Sequence, residues 1–109
     1  MRVNFTARHS KKTSQRLKDY AQEEVKRLEK IFQGIVDCDI VLDYQKETKI
    51  AEINVGVHGT QLTAVEKSDD IYKSIDQAVA KLERQLKKYK QKNFQQFDKT
   101  ETIKTELTQ

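Results

Sequence analysis

The chain reads as an α+β domain, a four-stranded sheet with two helices packed on one face, in the order βαβββα. Three observations predict it. Apolar and polar residues alternate with period two over residues 2–8 and again in three stretches between residues 36 and 64. Over residues 13–32 and 71–89 the apolar positions instead recur at three and four, the spacing of an amphipathic helix. With no proline and three glycines, these elements must be regular and joined by short turns.

In the first strand Val3, Phe5 and Ala7 share one face, and Arg2, Asn4, Thr6 and Arg8 the other. Such alternation marks a half-buried strand. The first helix follows, its apolar stripe built from Leu17, Tyr20, Ala21, Val25, Leu28, Ile31 and Phe32. Thr13 or Ser14 is its N-cap, and Gly34 stands just past its end. Val36, Cys38, Ile40, Leu42 and Tyr44 then predict the inner face of a second strand, with Asp37, Asp39 and Asp43 on the wet side. A turn near residues 46–48 leads to Ala51, Ile53, Val55 and Val57, and His58-Gly59-Thr60 to a last strand carrying Leu62 and Ala64. These three strands form a meander. Ser68-Asp69-Asp70 opens the second helix, whose stripe is Ile71, Ile75, Ala78, Val79, Leu82, Leu86 and Tyr89.

A length of 109 residues bounds the chain to one domain, expected over residues 1–92. From Asn93 onward Gln, Thr, Lys and Glu dominate and Phe94, Phe97, Ile103 and Leu107 are too sparse for a stripe, so residues 93–109 are expected to be a flexible tail. No apolar run approaches the roughly 20 residues of a membrane span, and Met1 leads straight into a strand pattern with no signal peptide. The single cysteine excludes an internal disulfide, which makes a cytoplasmic location the expectation.

Charge is sorted by segment. Residues 11–32 hold seven Lys or Arg against four acids and residues 71–92 seven against two, whereas residues 36–70 hold three against eight. Within residues 81–92 alone there are six cations and one carboxylate. Two basic segments flanking an acidic one suggest a molecule with one cationic and one anionic side, and a polyanionic partner such as RNA. At about 100° per residue, Lys73, Lys81, Arg84 and Lys88 form an outward stripe opposite the apolar one. Packing both helices on one face would set their basic surfaces side by side and leave the aspartates on the back.

Chemistry needs converging groups, and the candidates are thin. His58 reads as a turn residue and Cys38 as a small core residue, while Asp69-Asp70 reads as a helix start. No CxxC, HExxH, GxxxxGK[ST] or GxGxxG occurs, so neither an enzyme, a metal, a cofactor nor a small-molecule substrate is expected. Of the four tyrosines, Tyr20 and Tyr89 sit on apolar stripes and Tyr72 lies beside one, placed to touch a ligand. Lysines and arginines without exposed aromatics between them hold a backbone and recognise shape.

The segment Asp70-Ile71-Tyr72-Lys73-Ser74-Ile75-Asp76, followed by Lys81-Leu82-Glu83-Arg84-Gln85-Leu86-Lys87-Lys88, resembles the D-[ML]-Y-x-A-I-D and K-L-x-R-Q-L-x-K pattern of the ribosome hibernation promoting factor family. That family includes the ribosome-associated inhibitor also called protein Y and the sigma-factor modulation proteins. Leu17, Lys18 and Tyr20 sit where it has L-R-x-[YF], and Arg27-Leu28-Glu29 matches its K-L-E. The resemblance spans about residues 1–92. It implies a cytoplasmic factor, a monomer off the ribosome, that occupies the messenger and transfer RNA channel of the small subunit and silences translation under stress or in stationary phase. Carried over by position, Lys18, Arg27, Lys81, Arg84 and Lys88 would grip ribosomal RNA; Lys30, Lys87, Lys90 and Lys92 join them mainly on electrostatic grounds. Glu24 departs from the family, standing where Lys or Arg is frequent. The chain is shorter than the family's long form with its second, dimerising domain, and its tail leaves open whether ribosomes are paired or kept single. The alternative is a free-standing double-stranded RNA module. Those modules concentrate lysine at the start of the last helix, where this chain has Asp69, Asp70 and Asp76.

Overall fold

The computed structural model describes residues 1–9 and 13–98, with side chains through Gln91. The elements are β1 (Arg2–Arg8), α1 (Gln15–Ile31), β2 (Ile35–Gln45), β3 (Thr48–Val57), β4 (Thr60–Ser68) and α2 (Ile71–Asp98). This is the predicted βαβββα order. The sheet runs β1-β2-β3-β4. β1 pairs in parallel with β2 because α1 carries the chain back between them, while the two hairpins make the remaining pairs antiparallel. Both hairpins close over two residues, Gln45 pairing with Thr48 and Val57 with Thr60. Lys46 at φ 55° and Gly59 at φ 78° provide the left-handed residue each turn requires.

Strand register lines up the inner face in rows: Val3, Cys38, Val55 and Leu62; then Phe5, Ile40, Ile53 and Ala64; then Ala7, Leu42, Ala51 and Glu66. Leu17, Ala21, Val25 and Leu28 of α1 and Ile75, Ala78, Val79, Leu82 and Leu86 of α2 join Cys38, Ile40, Leu42, Ala51, Ile53, Val55 and Ala64 of the sheet in a single buried core. Each large side chain so buried contributes about 1.5–3 kcal/mol. Ser74 is the one buried polar residue among those described, and it is satisfied twice. Its Oγ donates to the Lys49 carbonyl at 2.7 Å and lies 2.7 Å from Ser68 Oγ. The Ser14 hydroxyl caps α1 by accepting from the Leu17 amide, and Asp70 caps α2 by accepting from the Tyr72 amide at 2.9 Å.

Three expectations need correction. Alternation puts Val36 on the inner face, but the ladder slips between Ile35 and Asp37, so Ile35 enters the core and Val36 is 60% exposed. A bulge inserts one residue and shifts the alternation by one. The outer sheet face is not simply anionic. Register sets Arg2 opposite Asp37 and Arg8 opposite Asp43, so β1 lays cations beside the aspartates of β2. Hydrogen bonds from Asn4 to Asp39 at 2.8 Å, Asn54 to Glu52 at 3.0 Å and Thr63 to Asn54 at 2.7 Å make this face a polar lattice. Finally, α2 does not stop at Lys92 but continues to Asp98, through residues with neither Gly nor Pro to end it. The side chains of Phe94 and Phe97 and all of residues 99–109 lie outside the described residues. No helix among the described residues is long and apolar enough to cross a membrane.

Candidate nucleic-acid interface

The helices meet along a seam with a readable order. Tyr20 meets Tyr72 edge-on at 4.9 Å and Asp76 through its hydroxyl; Arg27 reaches Glu83 at 3.4 Å; and Lys90 Nζ lies 3.3 Å from the Ile31 carbonyl. Because partners advance together along both helices, α1 and α2 run parallel. α2 then passes the end of α1, where Lys90 satisfies a carbonyl that has no helical partner.

Charge changes along this seam. Toward the start of α2, Glu24, Asp76 and Glu83 surround Arg27, whose guanidinium lies 3.0 Å from Glu24 and 3.4 Å from Glu83. Farther along, Lys87 continues the helical line of Asp76, Ala80 and Glu83, and Lys30 and Lys90 border one concavity. Tyr20 records the acidic end. Its hydrogen bond to Asp76, then burial, then the charges of Asp76 and Glu24 push its hydroxyl pKa up to about 12, with Arg27 opposing.

The predicted cations therefore fall into distinct settings. Lys18, Lys30, Arg84, Lys87 and Lys88 are exposed and make no ion pair among the described residues. Lys81 is half-buried and 3.6 Å from Glu66 at the rim of the inner sheet face. Arg27 is held by two carboxylates, yet its side chain is 56% exposed. Lys90 is exposed with its ammonium tied to Ile31, and the side chain of Lys92 lies outside the described residues.

The α2 stripe also faces differently from the expectation. Lys81 reaches β4, and Lys88 lines a groove with Leu62, Gln85 and Tyr89, so the stripe leans toward the β4 edge. There Gln85 also donates to the Thr63 carbonyl at 3.0 Å, covering part of that edge strand. Lys18 lies on the opposite flank of α1, about 160° around the helix from Tyr20. Lys30 of α1 and Lys90 of α2 do meet, at the concavity past the end of α1. Sequence spacing identifies the cations but not the carboxylates that reach them from other elements, Glu83 for Arg27 and Glu66 for Lys81. Phe32, read as part of the apolar stripe, packs against the core and also borders the Lys30–Lys90 concavity.

Elsewhere the titratable groups are structural. Burial first, then the charges of Asp39 and Asp37, pushes the Cys38 thiol up to about 12. The His9 hydrogen bond, 2.7 Å from His9 Nδ1, lowers the Asp43 carboxyl below its usual range.

A cation-bearing layer of two parallel helices on a four-stranded sheet defines a small α+β binding domain. The chain belongs to the sigma 54 modulation protein / S30EA ribosomal protein family, whose profile matches residues 3–95. It is 34% identical over 92 residues to the ribosome hibernation promoting factor of Pseudomonas putida, covering 84% of this chain and 89% of that protein. It is 35% identical over 92 residues to the factor of Klebsiella oxytoca, with 84% and 96% covered. A ribosomal subunit interface protein from Coxiella burnetii superposes with a TM-score of 0.78 at 31% identity, covering 84% of this chain and 99% of that one. The family resemblance read from the second helix is borne out.

Proposed function

We propose that this protein is a ribosome hibernation factor that binds small-subunit ribosomal RNA in the messenger and transfer RNA channel and so inhibits translation under stress or in stationary phase. The observation that carries this reading is the set of exposed cations on the helical layer, Lys18, Lys30, Arg84, Lys87 and Lys88, on a domain whose relatives bear the hibernation name. Lysines and arginines spread over a rigid surface neutralise phosphates and fix orientation without reading bases. The factor acts by filling a site, which requires no reaction, and a ribosomal partner places it in the cytoplasm.

The start of α2 favours this reading over a double-stranded RNA module. Asp70 is committed to capping and Asp76 to Tyr20, which leaves Lys73 as the sole cation of that first turn. Sedimentation through sucrose gradients at moderate salt tests the proposal. The protein should travel with small subunits and whole ribosomes, and initiator transfer RNA with messenger should compete with it. Failure to co-migrate, or loss of translation at sub-stoichiometric protein, would refute it.

A further inference from the structure

Where α1 ends, the chain turns through Gly34 and leaves an open concavity of about 420 Å³, lined by Lys30, Ile31, Phe32, Gln33, Gly34 and Lys90. Its lining combines the apolar Ile31 and Phe32 with the cations Lys30 and Lys90. Two neighbours hold the Phe32 ring. A Cβ added to Gly34 would stand 2.7 Å from Phe32 Cε2 and 2.8 Å from Cζ, so the ring lies where only glycine leaves room. The ring also meets Tyr89 in a T-shaped contact, with centroids 5.4 Å apart and planes at 83°. An aromatic ring held in place has little rotamer freedom left to lose when a flat ligand stacks on it.

The cations have capacity to spare. Lys90 uses one of its three N–H donors on the Ile31 carbonyl, and the exposed Lys30 makes no ion pair among the described residues. Glu24, Asp76 and Glu83 lie on the stretch of seam around Arg27, and none of them lines this concavity. A flat apolar surface beside two cations complements a ligand that joins a flat ring to an anion. A purely apolar ligand would leave the lysines unused, and a free phosphate would leave the ring unused.

We propose that this concavity seats one unpaired RNA nucleotide, its base against Phe32 and its phosphate between Lys30 and Lys90. The inference rests on the RNA-binding reading above and adds to it a base site within an otherwise phosphate-binding surface. Tyr20 and Tyr72 offer no comparable site, since they meet each other at 4.9 Å in the seam.

Two labelled probes separate the two readings: hexa-adenylate, and a hexamer of the same backbone without bases, each followed by fluorescence anisotropy at low salt. The protein should bind hexa-adenylate about tenfold more tightly than the abasic strand, the size of one base stacked on an aromatic ring. Phe32→Leu, which keeps apolar bulk but removes the flat ring, should erase that preference and leave abasic affinity unchanged. Lys30→Ala with Lys90→Ala should weaken both probes. A second measurement needs no variant: 2-aminopurine placed in the strand should be quenched on binding. Equal affinity for both probes, or no quenching, overturns the base site while leaving phosphate binding intact. No binding to either probe overturns the RNA reading itself.

Discussion

Tyr20 donates its hydroxyl proton to Asp76 across 2.5 Å, joining helices whose contacting residues are 56 positions apart in the chain. Each residue belongs to a pattern visible in its own helix, Tyr20 to the first apolar stripe and Asp76 to the motif of the second. Their bond, with the Arg27–Glu83 pair beyond it, fixes the parallel alignment of the helices and so the spacing of the cations they carry.

This bond predicts an alkaline limit to stability. The folded protein holds the Tyr20 proton up to about pH 12, against a usual value of 10.0, so it binds more protons than the unfolded chain between those values. The contribution is therefore complete below about pH 10 and is lost as pH rises through 12. Urea unfolding at pH 9 and pH 11 should show a fall in stability that is smaller in Tyr20→Phe. Equal falls in the two proteins would exclude the bond as the cause.

Charge reversal on the α2 stripe should sharply weaken ribosome binding without unfolding the domain. Arg84→Glu with Lys88→Glu is the cleaner pair, because Lys81→Glu would also set two carboxylates together at Glu66. Circular dichroism should remain unchanged. The slope of log affinity against log salt should become shallower by about one and a half, since each phosphate contact contributes roughly 0.7–0.9. Wild-type retention on ribosomes would remove these residues from the interface.

Ser74 occupies a motif position where the family pattern has alanine. Ser74→Ala should cost about 1 kcal/mol, because the Lys49 carbonyl loses the hydroxyl that it accepts from. Ser74→Val should cost more, since it also forces extra volume into a closed core. Thermal melts of both variants check the order, and a Ser74→Ala protein more stable than the parent would contradict it.

The bulge in β2 makes neighbouring residues behave oppositely. Ile35→Ala should cost about 2–5 kcal/mol, as for other buried Ile truncations, while Val36→Ala should stay within about 0.5 kcal/mol. Denaturant unfolding decides, and a costly Val36 with a neutral Ile35 would restore the register read from alternation.

Cys38 should resist a disulfide-exchange reagent in the native state at pH 8, because burial keeps its thiol protonated and covered. Reaction should appear only with unfolding, followed by absorbance of the released thiolate. Rapid native-state reaction would show that this part of the core opens.

Element type and order were legible because they arise from local periodicity. Alternation in β1 and β3, the stripes of both helices and the caps at Ser14 and Asp70 depend on residues a few positions apart, and the structure keeps them. The list of cations was equally readable, since charge is written in the residue itself, and the second-helix motif carried the family. Legibility failed where a residue's role depends on a partner from a distant element. Alternation carried through Val36 could not register a bulge, because a bulge is a property of two paired strands.

The sequence by itself determined which faces are apolar, which segments are basic and which family the chain joins. Only the tertiary structure decided which cations face carboxylates: Arg27 meets Glu83 and Lys81 meets Glu66 because helix pairing and strand register bring them within reach. It likewise decided that Arg2 and Arg8 stand beside the aspartates of β2, and that Phe32 borders a concavity with Lys30 and Lys90. The physical reason is range. Hydrophobic period acts within one element, whereas electrostatic pairing acts across a few ångströms of space, and only folding determines which charges share that space.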